Sequence, residues 1–313
     1  MRKLLLMTVV ILIWAWATAG VASADNGPHG GYTPATDACA GCHRAHTAIG
    51  PQLLVELTTY DLCMTCHGSS ATGAVTNVYD GVLEAAAGSN LGTPLNGGGF
   101  VNYHATGITS AHDVSNTITD AWGNGVDRGM EAAMAGGQGL DCASCHDPHG
   151  STNYRILKLT VNGQAVTVTQ VDEGAQIYDS EQWPANISNI CAACHGAYHE
   201  TAANVGSDTA GQIYGGGYTH RVDMAYNAGA YTGHPNPETT PLGGYTLPLA
   251  DSGGGNLVAC STCHLSHGSS AAMSGYADGG PTGSGTLPGN TTAADSALLR
   301  LDNRAVCEVC HRK

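Results

Sequence analysis

The chain has 313 residues, with 44 glycines, a single phenylalanine and only 12% charged residues. Aliphatic and aromatic layers are therefore not expected to be the main organising element of its fold. The formal net charge of −14 excludes nucleic acid as a natural partner, because the phosphate backbone is itself anionic. The acidic surface favours cationic partners or ions, and it favours solubility outside the cell.

Residues 1–24 predict a secretory signal peptide. Arg2 and Lys3 precede an apolar run, and small residues end it at positions 22–24. The mature chain, residues 25–313, is expected to be secreted and to lie outside the cell or at its surface, with the periplasm as the alternative. No later apolar stretch approaches the roughly 20 residues of a membrane-spanning helix, so the mature chain should contain no span. A retained membrane anchor is the alternative interpretation of the apolar run.

Six copies of the pattern Cys-x-x-Cys-His follow along the chain. They are motif one (Cys39, Cys42, His43), motif two (Cys63, Cys66, His67), motif three (Cys142, Cys145, His146), motif four (Cys191, Cys194, His195), motif five (Cys260, Cys263, His264) and motif six (Cys307, Cys310, His311). In covalent c-type haem attachment, the two thiols form thioethers with the haem and the histidine binds iron. The motifs use all twelve cysteines. The predicted cofactor is therefore six covalently attached haem c groups in one hexahaem cytochrome domain.

Two other uses of Cys-x-x-Cys compete with this interpretation. Zinc ribbons need paired Cys-x-x-Cys knuckles, which six motifs could supply, but they do not require histidine directly after every second cysteine. A thioredoxin-like dithiol needs one such motif at the start of a helix in a βαβ setting, and the sequence shows no such setting. The histidine that ends every motif favours haem.

Between the motifs the sequence predicts mostly irregular chain with short helices and one β-hairpin, organised around a chain of six haems. Alternating apolar residues flank Asn162-Gly163 within residues 154–171, which is a strong hairpin signal. Helical turns are expected near residues 127–135, and a helix that starts at Thr292 is expected to run to residue 311. The glycine-rich segments 206–217, 243–255 and 275–289 are expected to be surface loops.

Nine histidines remain outside the motifs: His29, His46, His104, His112, His149, His199, His220, His234 and His267. Six of them would give every iron a second imidazole ligand. The predicted second ligands are His46, His149 and His267, which follow motifs one, three and five in the pattern CxxCHxxH, together with His112, His220 and His234. His149 is too close in the chain to cross its own porphyrin easily, so it is free to reach a neighbouring haem. His104 or His199 could replace His220, and His29 is not expected to be a ligand.

The order and flanks of the motifs resemble the OmcS-type hexahaem cytochromes, which are extracellular and polymerise into conducting filaments called cytochrome nanowires. The resemblance rests on CAGCHRAH, CASCHDPHG, CAACHGAYH, CSTCHLSH and a final CEVCHRK. It implies a mostly coil subunit, low-spin haems with two histidine ligands each, and a haem chain that continues between subunits. It also implies that His46 binds the haem held by Cys260, Cys263 and His264 of the adjacent subunit, a heterologous contact that gives an open filament.

The sequence favours electron transfer over an enzymatic role. Two histidine ligands leave no open position on iron, whereas a multihaem reductase needs one, often marked by an unusual motif such as CxxCK. Every motif here ends in histidine. A soluble periplasmic carrier is the nearer alternative, and a reductase is the more remote one. The expected partners are further copies of the chain, redox partner proteins or extracellular electron acceptors.

Overall fold

The computed structural model describes fifteen stretches of the chain. They are residues 29, 38–69, 74–84, 92–125, 131–169, 183–199, 212–213, 217–218, 220–226, 235–241, 244, 246–251, 256–273, 296–303 and 305–311. The predicted signal peptide, the segment 275–289, Thr292 and His234 lie outside these ranges. None of the helices formed by the described residues has both the length and the hydropathy to cross a membrane.

Short helices carry or adjoin the motifs. They are α1 (Thr59–His67), α2 (Cys142–Cys145), α3 (Ser188–His195), α4 (Cys260–Cys263) and α5 (Ala305–Glu308). Single 3-10 turns lie at Ala38–Gly41, Pro51–Leu53, Ala135–Gly137, Tyr154–Ile156 and Gly196–Tyr198. Helix α1 begins where the Thr58 hydroxyl accepts a hydrogen bond of 3.0 Å from the Asp61 N–H, which satisfies a free donor of the first turn.

The strands are only two or three residues long. They are β1 (Thr76–Asn77), β2 (Val82–Leu83), β3 (Asn102–Tyr103), β4 (Thr106–Gly107), β5 (Ser110–Ala111), β6 (Asp120–Trp122), β7 (Glu131–Ala133), β8 (Thr160–Val161), β9 (Gln164–Ala165), β10 (Trp183–Pro184), β11 (Gln212–Ile213), β12 (Gly217–Tyr218), β13 (Met224–Ala225), β14 (Ala250–Asp251), β15 (Asn256–Val258) and β16 (Gly268–Ser269). Most form antiparallel pairs, and one sheet has four strands in the order β10-β14-β15-β13, with β10 and β14 parallel. The prediction of mostly irregular chain with short helices is confirmed.

The predicted hairpin is present but shorter than residues 154–171. Strands β8 and β9 pair antiparallel around a two-residue turn of Asn162 and Gly163. Both turn residues have positive φ, 49° and 73°, as a type I′ turn requires. Tyr154–Ile156 forms a 3-10 turn instead of continuing the first strand.

The segment expected to form helical turns near 127–135 was partly mispredicted. Residues 127–130 lie outside the described ranges, Glu131–Ala133 form β7 and pair with β6, and a 3-10 turn begins at Ala135. The glycine-rich segments also differ from plain surface loops. Residues 246–251 are largely buried and end in β14, and the described part of 206–217 contains β11.

The helix predicted over 292–311 was wrong for most of its described length. Ala297 and Leu298 have positive φ, 49° and 63°, a conformation that interrupts a right-handed helix. Among the described residues of this segment, regular helix is confined to Ala305–Glu308, at the start of motif six.

A conventional hydrophobic core lies between motifs three, four and five. Its buried residues are Tyr154, Leu157, Val161, Val166, Val168, Trp183, Ile187, Ala193, Ala250 and Ala259, and Cys145 and Cys194 pack against it. A second cluster contains Leu247, Leu301, Val306 and Val309, with Cys263 beside it. Short apolar runs therefore contribute more to the fold than the composition indicated. Neither cluster, within the described residues, includes a residue of motif one or two.

Asn162 connects the hairpin to its surroundings. Its amide donates hydrogen bonds of 2.7 Å to the Asn124 Oδ1 and to the Ala193 carbonyl, and its Oδ1 accepts from the Ala135 N–H. Asn162→Ala removes these bonds and puts alanine at positive φ, so the free energy of unfolding should fall by about 2–4 kcal/mol. Urea unfolding followed by haem absorbance measures the change. Asn162→Gly should recover the part of the loss that comes from placing alanine at positive φ. Exposed Gln164→Ala is the control and should leave the free energy of unfolding nearly unchanged. An unchanged unfolding midpoint for Asn162→Ala would contradict the assignment.

Candidate haem-binding sites

Each motif folds as one helical turn that brings its two thiols and its imidazole together. In motifs one, three, five and six, the histidine N–H donates to the carbonyl of the first cysteine at 2.8–3.0 Å. In motifs two and four, the motif histidine is the last residue of α1 or α3. Residues four apart lie on the same side of a helical turn. The first thiol and the imidazole therefore face the same volume, as covalent haem attachment requires.

Motifs three and five have an additional hydroxyl cap. The Ser144 Oγ accepts from the Asp141 N–H, and the Thr262 Oγ1 accepts from the Ala259 N–H, each at 3.0 Å. These bonds satisfy backbone donors at the start of a four-residue helix, which has few other stabilising contacts. The residue before the second cysteine thus helps to fix the turn that carries both thiols.

The same return turn follows motifs one, three and five. The motif histidine forms a backbone bridge with a leucine in each case: His43 with Leu54, His146 with Leu157 and His264 with Leu299. The two residues before each leucine have positive φ between 49° and 64°: Gln52 and Leu53, Arg155 and Ile156, Ala297 and Leu298. The carbonyl of the first of them accepts from the imidazole Nδ1, at 2.9 Å for Gln52, 3.0 Å for Arg155 and 2.9 Å for Ala297. Three separate segments therefore hold their motif histidine in the same way.

Other histidines have the same orientation. The Nδ1 atoms of His67 and His195 bond the carbonyls of Thr76 and Trp122, and those of His29, His112 and His220 bond the carbonyls of Pro148, Ser266 and Arg221. A carbonyl oxygen only accepts, so Nδ1 carries the proton in each ring. The lone pair on Nε2 is left for a metal, which is the arrangement that typically orients metal-binding histidines.

Five motif histidines lie opposite a second histidine ring. The ring centres are 6.1 Å apart for His43 with His149 and for His67 with His29, 6.2 Å for His195 with His112 and for His311 with His220, and 6.5 Å for His146 with His267. A metal to imidazole bond is about 2.0 Å and the ring centre lies about 1.2 Å beyond the nitrogen, so two axial imidazoles have centres about 6.4 Å apart. The residues present therefore fit a haem iron between the rings of each pair.

Burial keeps several of these imidazoles neutral. Loss of hydration lowers the pKa of the motif histidines His67, His146 and His264, and of the opposing His112 and His267, the last to about 3. Neutral imidazole is the form that binds a metal.

Four of the six predicted second ligands lie opposite a motif histidine: His112, His149, His220 and His267. His234 is outside the described residues. His29 was not expected to be a ligand because it lies near the predicted mature N-terminus, whereas the structure places it opposite His67. His104 packs against Tyr103 with ring centres 4.2 Å apart, and the His199 Nε2 lies 2.7 Å from the Asp223 Oδ2. In the described part of the chain, neither ring lies opposite a motif histidine.

His264 and His46 are the exceptions to this pairing. Among the described residues, no second histidine ring lies opposite His264 and none lies opposite His46. His264 still has its Nδ1 bonded to the Ala297 carbonyl, so it is oriented like the other motif histidines. His46 is exposed.

The pairs repeat every two motifs. The histidine after motif three (His149) lies opposite that of motif one, and the histidine after motif five (His267) lies opposite that of motif three. The histidines that precede motifs one, three and five (His29, His112 and His220) lie opposite those of motifs two, four and six. The motifs therefore fall into three tandem units, each with a histidine before its first motif and a second histidine three residues after that motif.

Successive units meet through their cysteines. The thiols of Cys63 and Cys142 are in hydrogen-bond contact between motifs two and three, and those of Cys191 and Cys260 are in contact between motifs four and five. Helix α1 accordingly lies beside α2, and α3 beside α4. At the two ends of the series, Cys39 and Cys307 are exposed.

Residues 33–72 and 132–165 match the family described as "Doubled CXXCH motif". The first match contains motifs one and two, and the second contains motif three. Comparison with curated proteins and with solved structures finds no match. The doubled motifs indicate covalently bound haem c, and the function that they indicate is electron transfer.

Proposed function

We propose that this multihaem c-type cytochrome-like protein binds six haem c groups and conducts electrons along them as the subunit of an extracellular filament of the OmcS type. The facing histidine rings support it, because five of the six motifs already have a second imidazole in place. Iron with two histidine ligands has no open site for a substrate, so this ligation favours a conductor over a reductase. The predicted signal peptide and the acidic net charge are consistent with export.

The two-motif repeat is the observation that best supports the proposal of a filament. The histidine after motif three lies opposite the histidine of motif one, and the histidine after motif five lies opposite that of motif three. Each of these histidines therefore pairs with the motif two places earlier. By the same rule, His46 after motif one should bind the haem of a motif two places earlier, which this chain does not contain. In a polymer of six-motif subunits that place is motif five of the adjacent molecule, and motif five is the one whose histidine lacks a facing ring in the described residues.

The ends of the subunit support the same joint. The first cysteines touch between motifs two and three and between motifs four and five, so the next such contact joins motif six to motif one of another copy. Cys307 and Cys39 are both exposed. Ile49, Leu53 and Leu57, close to motif one in the chain, are 60%, 54% and 65% exposed, and a bound haem together with a second copy would remove this apolar surface from water. The two joined surfaces differ, so the assembly stays open and forms a filament.

The native extracellular fraction tests the proposal. We expect filaments by electron microscopy, six haem additions by mass spectrometry of the denatured chain, and only low-spin haem in the intact filament. Dissociation into single subunits should make one haem of the six high-spin, because its second ligand leaves with the partner. Single subunits that remain entirely low-spin would place that ligand within the chain, with His234 as the candidate, and would favour a soluble carrier. A high-spin haem in the intact filament would favour a reductase.

A further inference from the structure

Arg300 contacts Ser261 of motif five and the ring of Trp183, and each of these two residues has a buried hydrogen-bond donor without a partner in the described structure. Arg300 donates from Nε to the Ser261 carbonyl and from Nη2 to the Asn96 carbonyl, each at 2.8 Å. The guanidinium carbon of Arg300 lies 5.8 Å from the centre of the Trp183 ring. Ser261 and Trp183 are only 7% and 5% exposed, and in the described structure neither the Ser261 hydroxyl nor the Trp183 indole N–H has a hydrogen-bond partner.

The charge of Arg300 is also uncompensated. Its hydrogen-bond acceptors among the described residues are carbonyl oxygens, and no ion pair there includes it. Burial lowers the pKa of Arg300 to about 10, so the side chain remains cationic at neutral pH. A desolvated cation beside two unsatisfied donors is costly unless an anion binds to them.

Part of the role of Arg300 is structural, and the repeat shows which part. Lys158 has the equivalent position after motif three. Its N–H donates to the Cys145 carbonyl as that of Arg300 does to Cys263, and its Nζ donates to the Ala143 carbonyl as the Arg300 Nε does to Ser261. A single donor is sufficient for that bond. The additional N–H groups of the Arg300 guanidinium, the indole and the hydroxyl therefore need a different explanation.

We propose that Arg300, Trp183 and Ser261 form a carboxylate site that binds a propionate group of a haem. The proposal rests on the haem binding described above. A guanidinium binds carboxylate through charge-assisted hydrogen bonds, and the indole and hydroxyl supply neutral donors of the right kind. Arg300 would then be a positioning residue that also makes one haem easier to reduce, because a nearby positive charge disfavours the ferric state.

Two haems can supply the propionate. One belongs to motif five, since the Arg300 N–H bonds the Cys263 carbonyl at 2.9 Å. The other lies between His146 and His267, since the His267 N–H bonds the carbonyl of Gly97, the residue after Asn96. Both present the same chemistry, and the experiment below distinguishes them.

Potentiometric titration of Arg300→Gln tests the site. One haem should titrate at a lower potential, and all six haems should remain attached by mass spectrometry, which separates this result from a failure of haem binding. Arg300→Lys keeps the charge and the bond to the motif carbonyl, so its shift should be smaller. Trp183→Phe should shift the same haem in the same direction, and the double variant should shift it by less than the sum, because both residues act on one group.

Arg44→Gln is the matched control. Arg44 also bonds a motif carbonyl, that of Ala40 at 3.3 Å, but it is exposed, so solvent should screen the loss of its charge. If Arg300→Gln and Trp183→Phe leave all six potentials unchanged, the proposal is overturned, even when the variants unfold more easily.

His267→Ala identifies the haem that supplies the propionate. In assembled filaments, where the haem of His264 would have its second ligand from the partner, loss of the His267 imidazole should make only the haem of His146 high-spin. Its signal can then be titrated alone by electron paramagnetic resonance. A shift of that signal on adding Arg300→Gln assigns the propionate to this haem. An unchanged signal, with the shift among the low-spin haems, assigns it to the haem of His264. If His267→Ala does not fold, density for the propionates in a structure of the haem-loaded protein makes the same assignment.

Discussion

Replacing His46 with alanine should abolish filaments while leaving six covalent haems on every chain. His46 is exposed and has no facing ring in the described residues. In the proposed filament it would supply the second ligand of motif five in the partner subunit. Electron microscopy should show single subunits, mass spectrometry should show six haem additions, and one haem should bind an added ligand such as imidazole at its sixth position.

His149→Ala is the matched control for this experiment. His149 has the same CxxCHxxH position after motif three, but it lies opposite His43 of its own chain at 6.1 Å. Its loss should also open one haem, and filaments should persist. Filaments of His46→Ala in which every haem is low-spin would show that another residue joins the subunits.

The His46→Ala chain should also act as a terminator. It retains motif five and can accept His46 of a wild-type chain, but it cannot donate a ligand in return. Mixed into wild-type subunits before assembly, it should shorten the filaments in proportion to its fraction, and a tag on the variant should appear at one end only. Tags at both ends would contradict a heterologous joint.

Replacing both Cys142 and Cys145 with alanine should destabilise the chain well beyond the loss of one redox centre. Cys145 packs against the main hydrophobic core. His146 of motif three lies opposite His267 of the third unit, and His149, three residues after His146, lies opposite His43 of the first unit. Losing this haem removes a large buried apolar ring and leaves a cavity, which typically costs several kcal/mol. Limited proteolysis of the product should be faster by on the order of a hundredfold, since cleavage follows the population of open chains.

The same double replacement in motif one provides the comparison. Cys39 is exposed, and no residue of motif one belongs to either hydrophobic cluster as described. The Cys39→Ala and Cys42→Ala chain should therefore carry five haems and keep most of its protease resistance. Equal resistance in the motif three variant would mean that the polypeptide core around Tyr154 and Trp183 holds this region without its haem.

The parts of the structure that the sequence predicted are those that depend on neighbouring residues. A Cys-x-x-Cys-His segment is one helical turn, and Asn162-Gly163 is a hairpin turn, because short-range geometry decides both. Ala297 and Leu298 are good helix formers, yet they have positive φ because the return turn must place the Ala297 carbonyl against His264. His29 lies opposite His67 through a contact between distant parts of the chain, so no local sequence pattern around His29 predicts this contact.

The two-motif repeat also limits how such a chain can change in length. The contacts that connect one unit to the next are the same at both junctions within the chain. The joint proposed between subunits would repeat these contacts between two copies. A tandem duplication or deletion of one whole unit would give an eight-haem or four-haem chain with the same two ends, still able to polymerise. Adding or removing a single motif would give an odd number of motifs and leave one histidine without a facing ring at one end. In the proposed filament the repeating unit would thus be two haems, and the break between polypeptides would fall between repeating units, so an electron crossing it would meet the same kind of step as inside the chain.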